Sequence, residues 1–373
     1  MRKTHQDIDR EVSGCYIDGP MIVHHYYPHT GNIGDHFIAD AIRRLVSHHR
    51  PGAQIIPFPV NRHRRDERQP FGLQGENLDR TNEDAGLVII GGSNLYEFNR
   101  HGRWGVATDV DSLRRLRVPV LLLGIGHGSR RRDDVRPGSR ESLAEIRLLN
   151  EQAVGSSVRD TITLEFLHRM KIDKPVLTGC PATFLFDQTL VFNEHPQAAI
   201  AMPPARFRKD RLRFFCIVRA IRKYIRYCRD RSLSPVLACH TSEDADLVGK
   251  LRFAGAEVFC SDRTEDYYAL YRQSRMVMAF RLHAAIISLS LGTPFVPVNF
   301  DQRGQGFVET YESEDWAIDA ARWGLYKGMA ARTESILGRD ESAFERFVAN
   351  KGRLHALMHE FLRNALSGGG SSA

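Results

Sequence analysis

The amino-acid sequence predicts an α/β protein of two doubly wound, Rossmann-like domains. Three observations carry this expectation. At 373 residues the chain is too long for one ordinary core and suggests two domains of similar size. Short apolar runs alternate with amphipathic helical segments along its length, the order of a parallel sheet covered by helices. The apolar runs end repeatedly in Gly, His or Arg, at the edge where open parallel sheets bind their ligands.

The first strand is expected over Met21–Tyr27, followed by HTGNIGDHFIADAIRRLV. Phe37, Ile38, Ala41, Ile42, Leu45 and Val46 recur at helical spacing, so a helix begins near Asp35, with Asp35 as its N-cap. Gly31 and Gly34 permit a tight turn around Asn32 whose amides face a ligand, or a plain capped turn. His24, His25 and His29 read as polar contacts, because no acidic ligand follows at a fixed offset. Gln54–Val60 is a second strand and Asn61–Asp84 a polar loop. Gly86–Ile90 ends in GGSN, where Gly92, Ser93 and Asn94 let the backbone come close to a ligand. Val118–Ile125 ends in GIGHG and brings His127 to the same edge. A helix over Glu141–Ala153, a strand over Ser156–Val158, the pair Arg159–Asp160 and a helix over Thr161–Met170 follow. Arg159–Asp160 is either an ion pair capping that helix or part of a site. Pro175–Thr178 is a further strand, broken by a Gly-Cys-Pro bend in which Cys180 is structural. This closes a domain spanning residues 1–187.

Gln188–Gln197 reads as a linker to a second domain, residues 198–335. Its strands are Ala198–Met202, Val236–Cys239, Glu257–Cys260, Met276–Phe280 and Phe295–Asn299; its helices include Phe214–Asp230, Asp244–Phe253 and Asp266–Ser274. The stretch Met276–Asp301 organises the chain: strand, polar hinge, apolar helix Ala284–Leu291, a Gly292 stop and a second strand. In its hinge, Arg281 can grip a carboxylate or phosphate through two parallel hydrogen bonds, and His283 can move a proton near neutral pH. An anion is the expected guest; the plainer alternative is that both residues cap the helix. Residues 336–366 carry an amphipathic helix from Glu341 on, expected to strap back across the first domain, and residues 367–373 form a Gly/Ser-rich tail expected to be disordered.

Composition narrows the partners. Hydrophobic residues at 42% and charged ones at 26% describe an ordinary globular protein. Lys and Arg (52) exceed Asp and Glu (45), with arginine clustered at Arg62–Arg68 and Arg130–Arg136, which favours anionic partners. Nucleic acid fits poorly, since Asp66, Glu67, Asp133 and Asp134 interrupt these runs and no aromatic residue stands among them for bases to stack on. Cys15, Cys180, Cys216, Cys228, Cys239 and Cys260 are dispersed without a C-x-x-C pair, the usage of reduced thiols. The N-terminus lacks the apolar core of a signal peptide and no run is long enough to span a bilayer, so a cytoplasmic protein is expected, free or peripheral to the inner face of the membrane.

Taken in order, NIGD (Asn32–Asp35), GGSNL (Gly91–Leu95), GIGHG (Gly124–Gly128), SVRD (Ser157–Asp160), TGCP (Thr178–Pro181), RLHA (Arg281–Ala284) and NFD (Asn299–Asp301) resemble the polysaccharide pyruvyltransferase family. The resemblance implies a GT-B-like fold, with an acceptor-side and a donor-side domain facing each other across a cleft. It implies transfer of a pyruvyl group from phosphoenolpyruvate to two hydroxyls of a sugar, free or lipid-linked at the membrane surface, giving a ketal and phosphate. It matches His127, Arg159, Arg281 and His283 to the basic donor-site positions. Ser93 departs from a position where glycine is common, and Arg303 from one where lysine is often found.

The chemistry asks for the same residue types. Phosphoenolpyruvate joins a carboxylate and a phosphate at an enol carbon, and several cations are needed to hold both. Arg159 and Arg281 are the candidates for that clamp. A proton donor for the methylene carbon is also needed. His283 is the first choice, with His127 as phosphate ligand or as base for the incoming hydroxyl, or the two reversed. Asn32, Asp35, Gly92, Ser93, Asn94, Asp301 and Arg303 complete the substrate-binding candidates; Asp301 and Asp35 either orient an acceptor hydroxyl or cap helices. Arginines can neutralise the phosphate, so neither a metal nor a cofactor is expected. Two rival readings are a nucleotide-sugar glycosyltransferase, with Arg281 and His283 on a diphosphate, and a non-catalytic binder of anionic glycans.

Overall fold

In the computed structural model, residues 21–29, 32–61, 70–128, 136–205, 211–321 and 324–367 are described. The first half runs β1 (Ile22–Tyr27), α1 (Ile33–His49), β2 (Gln54–Pro59), α2 (Gly75–Asp84), β3 (Leu87–Gly91), α3 (Val110–Arg115), β4 (Val120–Ile125), α4 (Arg140–Gln152), β5 (Gly155–Val158), α5 (Thr161–Arg169) and β6 (Val176–Leu177). These strands form a parallel sheet in the order β2-β1-β3-β4-β5-β6. The second half runs β7 (Gln197–Ala201), α6 (Arg211–Asp230), β8 (Ser234–Cys239), α7 (Ser242–Leu251), β9 (Glu257–Cys260), α8 (Thr264–Gln273), β10 (Met276–Ala279), α9 (Leu282–Leu291), β11 (Phe295–Asn299), α10 (Gln302–Thr310) and β12 (Ile318–Asp319). Its parallel sheet has the order β12-β11-β10-β7-β8-β9. Helices α11 (Leu325–Leu337) and α12 (Glu345–Leu366) close the chain. The protein is thus α/β, with two six-stranded parallel sheets. No helix of the described residues is long and apolar enough to cross a membrane.

The strands are apolar on both faces because helices cover both. In β3, Leu87 and Ile89 join the larger core, whereas Val88 and Ile90 face a second one; in β4, Leu121 and Leu123 divide from Val120 and Leu122 in the same way. That alternation is the two-residue period of a strand buried on either side. The larger core does not stop at the first sheet. It runs from α1 (Phe37, Ile38, Ile42) through Phe184 and Leu185 to the second sheet and on to Phe347, Leu354 and Met358 of α12. The two halves are therefore welded along one side and part on the other.

Several boundaries differ from the expectation. Helix α1 begins at Ile33 with Asn32 as N-cap, so Asp35 is a first-turn residue and not the cap. The expected polar loop Asn61–Asp84 contains α2, whose polar sequence GENLDRTNED buries only Asn77, Leu78 and Thr81 and so hides the helical period. The terminal helix starts at Glu345, behind a 3₁₀ turn at Glu341–Phe344. Gly292 ends α9 in the left-handed conformation (φ 68°), the stop its position suggested. The runs Arg62–Arg68 and Arg130–Val135, the turn residue Gly31, Cys15 and the tail beyond Ser367 lie outside the described residues.

Candidate active site

A cavity of about 960 Å³ opens between the carboxyl ends of the two sheets. Four helices begin at its wall. Their N-cap residues, Asn32 (α1), Thr241 (α7), Arg281 (α9) and Asp301 (α10), all line it. Unpaired amides and the positive end of each helix dipole make such a place favourable to an anion.

Three buried or nearly buried arginines add charge, and each is held by a carboxylate. Arg159 donates from Nε to Asp160 at 3.0 Å and from Nη2 to the Asn94 carbonyl oxygen at 2.9 Å. Arg281 donates from Nε to the Met202 carbonyl at 3.2 Å and pairs through Nη2 with Asp244. Arg303 donates from Nε to Asp301 at 3.1 Å and pairs with it again through Nη2. In all three the bonds engage Nε and Nη2, and none among the described residues engages Nη1. The carboxylates orient the guanidinium groups and leave an edge of each for a ligand. Asp160 and Asp301 also cap α5 and α10, accepting from Thr163 N and Gly304 N, so the capping and site readings of these residues hold together.

His283 stands one residue into α9, buried in the cavity wall, and its Nε2 finds no hydrogen-bond partner. Burial pushes its pKa down to about 4; nearby Asp35 opposes this, while Arg159, Arg303 and Arg281 add to it. The imidazole is therefore neutral at physiological pH, not poised near 7 as the sequence reading required. An anion among the three arginines offsets their part of this shift, while the larger part, burial, stays.

Asp35 follows Gly34, against which the His283 ring packs, and its charge acts on that ring. It accepts a hydrogen bond from Ser93 Oγ (2.9 Å) and one from the Asn32 amide (3.4 Å). Ser93 has a positive φ of 58°, the left-handed region, which accounts physically for a glycine preference at that position. Asn94 links the site backwards, donating to the Gly128 carbonyl at 2.7 Å and to Glu97 at 3.0 Å.

Two expected site residues lie elsewhere. His127 is not on the cavity wall: its ring stacks on Phe166 with centroids 3.9 Å apart, Nδ1 bonds the Tyr96 carbonyl at 2.8 Å, and burial lowers its pKa. It supports the loop that carries Asn94. Gly92 is also off the wall; at φ 73° a side chain there would meet Ile38 at 2.2 Å, so it serves the turn. Cys180 is buried, and its thiol is pushed up to about 11 by that burial, in keeping with a structural part.

On the first-half wall the sequence reading named Asn32, Asp35, Ser93, Asn94 and Arg159, which line the cavity, and missed the rest. Glu97, Phe98, Asn99, Arg103 and Trp104, from the loop after β3, line the cavity together with Gln74. Trp104 donates from Nε1 to Glu145 at 2.7 Å, and Arg103 pairs with the same carboxylate at 2.9 Å. The clustered aromatic and amide residues of LYEFNRHGRWG were the available signal. His240, buried behind Arg281 and bonded to Tyr271 at 2.6 Å, was also missed.

The architecture is shared with solved UDP-N-acetylglucosamine 2-epimerases and a glycosyltransferase. A putative UDP-N-acetylglucosamine 2-epimerase from Listeria monocytogenes superposes with a TM-score of 0.57 at 11% identity, covering 94% of this chain and 96% of that one. The UDP-GlcNAc 2-epimerase of Neisseria meningitidis, bound to UDP-GlcNAc, gives 0.55 at 12%, covering 93% and 100%. A Rickettsia africae glycosyltransferase gives 0.51 at 11%, covering 94% and 99%. At such identities the likeness establishes the fold, of the GT-B kind, and nothing of the substrate. No curated protein matches the sequence. The family model for polysaccharide pyruvyl transferase matches residues 32–302, from the N-cap of α1 to the first turn of α10. This chain is therefore a member of the polysaccharide pyruvyl transferase family.

Proposed function

We propose that the protein transfers a pyruvyl group from phosphoenolpyruvate to two hydroxyls of a sugar, forming a cyclic ketal and releasing phosphate. One observation carries the reading: Arg159, Arg281, Arg303 and His283 line one cavity into which four helix N-termini open. A small dianion or trianion suits that surface, with its carboxylate and phosphate shared among the free Nη1 edges.

In this scheme the donor's charge raises the pKa of His283, which takes up a proton and delivers it to the methylene carbon. The C2 centre, now electron-poor, is attacked by a first sugar hydroxyl. A second hydroxyl then displaces phosphate by breaking the C2–O bond, which leaves the ketal. Of the two hydroxyl protons, one returns to His283 and the other departs with phosphate, so the charge balances. Asp35, held by Ser93 and with its charge acting on His283, orients an acceptor hydroxyl or assists proton return. Phe98 and Trp104 beside Asn99, Gln74 and Arg103 offer the apolar faces and polar edges that a pyranose ring binds, which supports reading the first-half wall as the acceptor side. The acceptor is a polysaccharide or its precursor, free or lipid-linked.

The reading is tested by phosphate release from phosphoenolpyruvate in the presence of candidate glycans. His283→Gln is expected to abolish release while leaving the melting temperature near that of the native chain. Unchanged turnover in this variant would remove His283 from the reaction.

A further inference from the structure

Four histidines gather far from the cleft, where the last turn of α1 meets α12. His49 Nε2 lies 2.9 Å from His359 Nδ1, and His359 Nε2 lies 2.9 Å from His355 Nε2. The ring of His48 stands edge-on to those of His49 and His359, with centroids 5.1 and 5.2 Å away. One nitrogen from each of His48, His49 and His359 lies within 4.8 Å of the other two. Among the described residues, no other group of three or more His, Cys, Asp or Glu side chains brings ligand atoms so close.

We propose that this cluster is a binding site for a divalent transition-metal ion of the zinc type, held by His48, His49 and His359, with His355 on the other ring nitrogen of His359, where it orients that ligand. The donor set decides the class. It is all imidazole with no carboxylate, which suits zinc, cobalt, nickel or copper and excludes the oxygen-seeking magnesium and calcium. In a tetrahedral zinc site with bonds of about 2.0–2.1 Å, ligand nitrogens stand roughly 3.3–3.4 Å apart. Nitrogens already within 4.8 Å reach that spacing by small rotations of the rings.

Helix geometry supplies the placement. His355 and His359 are separated by one turn on α12, so their imidazoles share a face. His48 and His49 end α1, where the carbonyl end of the dipole favours a cation.

The ion would tie together residues separated by 310 positions in sequence, pinning the strap helix α12 to α1. Because the N-terminal turn of α1 carries Asp35 into the cleft, the far end of the same helix is where such a pin would hold the first half in place. The site thus has a structural use that is separate from the chemistry.

The test uses the full chain, stripped with a chelator and titrated with zinc chloride against a chromophoric competitor, with melting followed in parallel. One equivalent of zinc is expected to bind and to raise the melting temperature. Affinity should fall by about 10–100-fold or more in both His359→Gln and His48→Ala, with loss of the thermal shift. His48 is exposed, so its replacement leaves the packing alone. Cobalt in place of zinc should give the visible absorption of a tetrahedral nitrogen site in the native chain and not in the variants. Absence of saturable binding at sub-millimolar zinc, or equal affinity in native and variant chains, would overturn the proposal.

Discussion

Gly34 of α1 and His283 of α9, from opposite halves of the chain, meet so closely that a Cβ on Gly34 would stand 1.8 Å from His283 Nδ1. The glycine here is a matter of space: its backbone is helical, and the missing side chain is what lets the imidazole ring close against α1. Gly34→Ala therefore has to push His283 out of place or wedge the halves apart. Overpacking of this kind costs about 1–3 kcal/mol, and displacing an acid or base by an ångström costs about 10²-fold in rate. Phosphate release should fall by that order while the chain still folds, as thermal melting of the variant would check.

Ser93 offers a cleaner pair of substitutions. Its left-handed backbone costs a non-glycine residue about 1–2 kcal/mol, and its hydroxyl returns about 1 kcal/mol through the bond to Asp35. Ser93→Ala keeps the strain and loses the bond, whereas Ser93→Gly loses both. Chemical denaturation should find the glycine variant more stable than the alanine variant by about 1–2 kcal/mol, with both weakened in turnover if Asp35 has to be held in place.

Arg281 cannot be removed as quietly as His283. Its partner Asp244 is buried, and a buried carboxylate left alone typically costs about 3–5 kcal/mol. Arg281→Ala is expected to lower both melting temperature and phosphoenolpyruvate affinity, and the double variant Arg281→Ala with Asp244→Asn should recover part of the stability but none of the affinity. Calorimetry beside a melting curve separates the two effects.

The pH dependence follows from buried histidines. Burial holds His25 at about 3 and His283 at about 4, against about 6.5 in an unfolded chain. Between pH 6.5 and 4 the unfolded chain binds protons that the folded one refuses, so stability falls as pH falls through this window and is level above it. Each group contributes about 3 kcal/mol of loss by pH 4, as an order of magnitude. Urea midpoints measured from pH 8 to 4 should decline below about 6.5, and His25→Gln, if it folds, should flatten the decline.

Much of the frame was legible because buried parallel strands announce themselves as short apolar runs closed by glycine or a polar residue. Glu257–Cys260 and Phe295–Asn299 were read with the bounds of β9 and β11. Positions at strand ends were legible for the same reason, and they put Arg159, Arg281 and His283 on one cavity wall. The direction of a side chain was not. His127 stands at a strand end yet turns onto Phe166 and the Tyr96 carbonyl, a choice made by packing that no local pattern encodes. Nor does local sequence tell that the loop from Leu95 to Gly105 folds back to supply Phe98, Arg103 and Trp104, since that path is set by contacts such as Trp104 with Glu145. The ionisation of His283 was misjudged because burial is a property of the assembled cleft.

The most direct test is calorimetric titration with phosphoenolpyruvate at pH 7.5 in buffers of different ionisation enthalpy, with UDP-sugars titrated in parallel. The account expects phosphoenolpyruvate to bind with uptake of a proton by His283, the uptake vanishing in His283→Gln, and UDP-sugars to give no comparable heat. Binding of UDP-sugars alone, or binding of phosphoenolpyruvate with the same proton balance in native and His283→Gln chains, would contradict it.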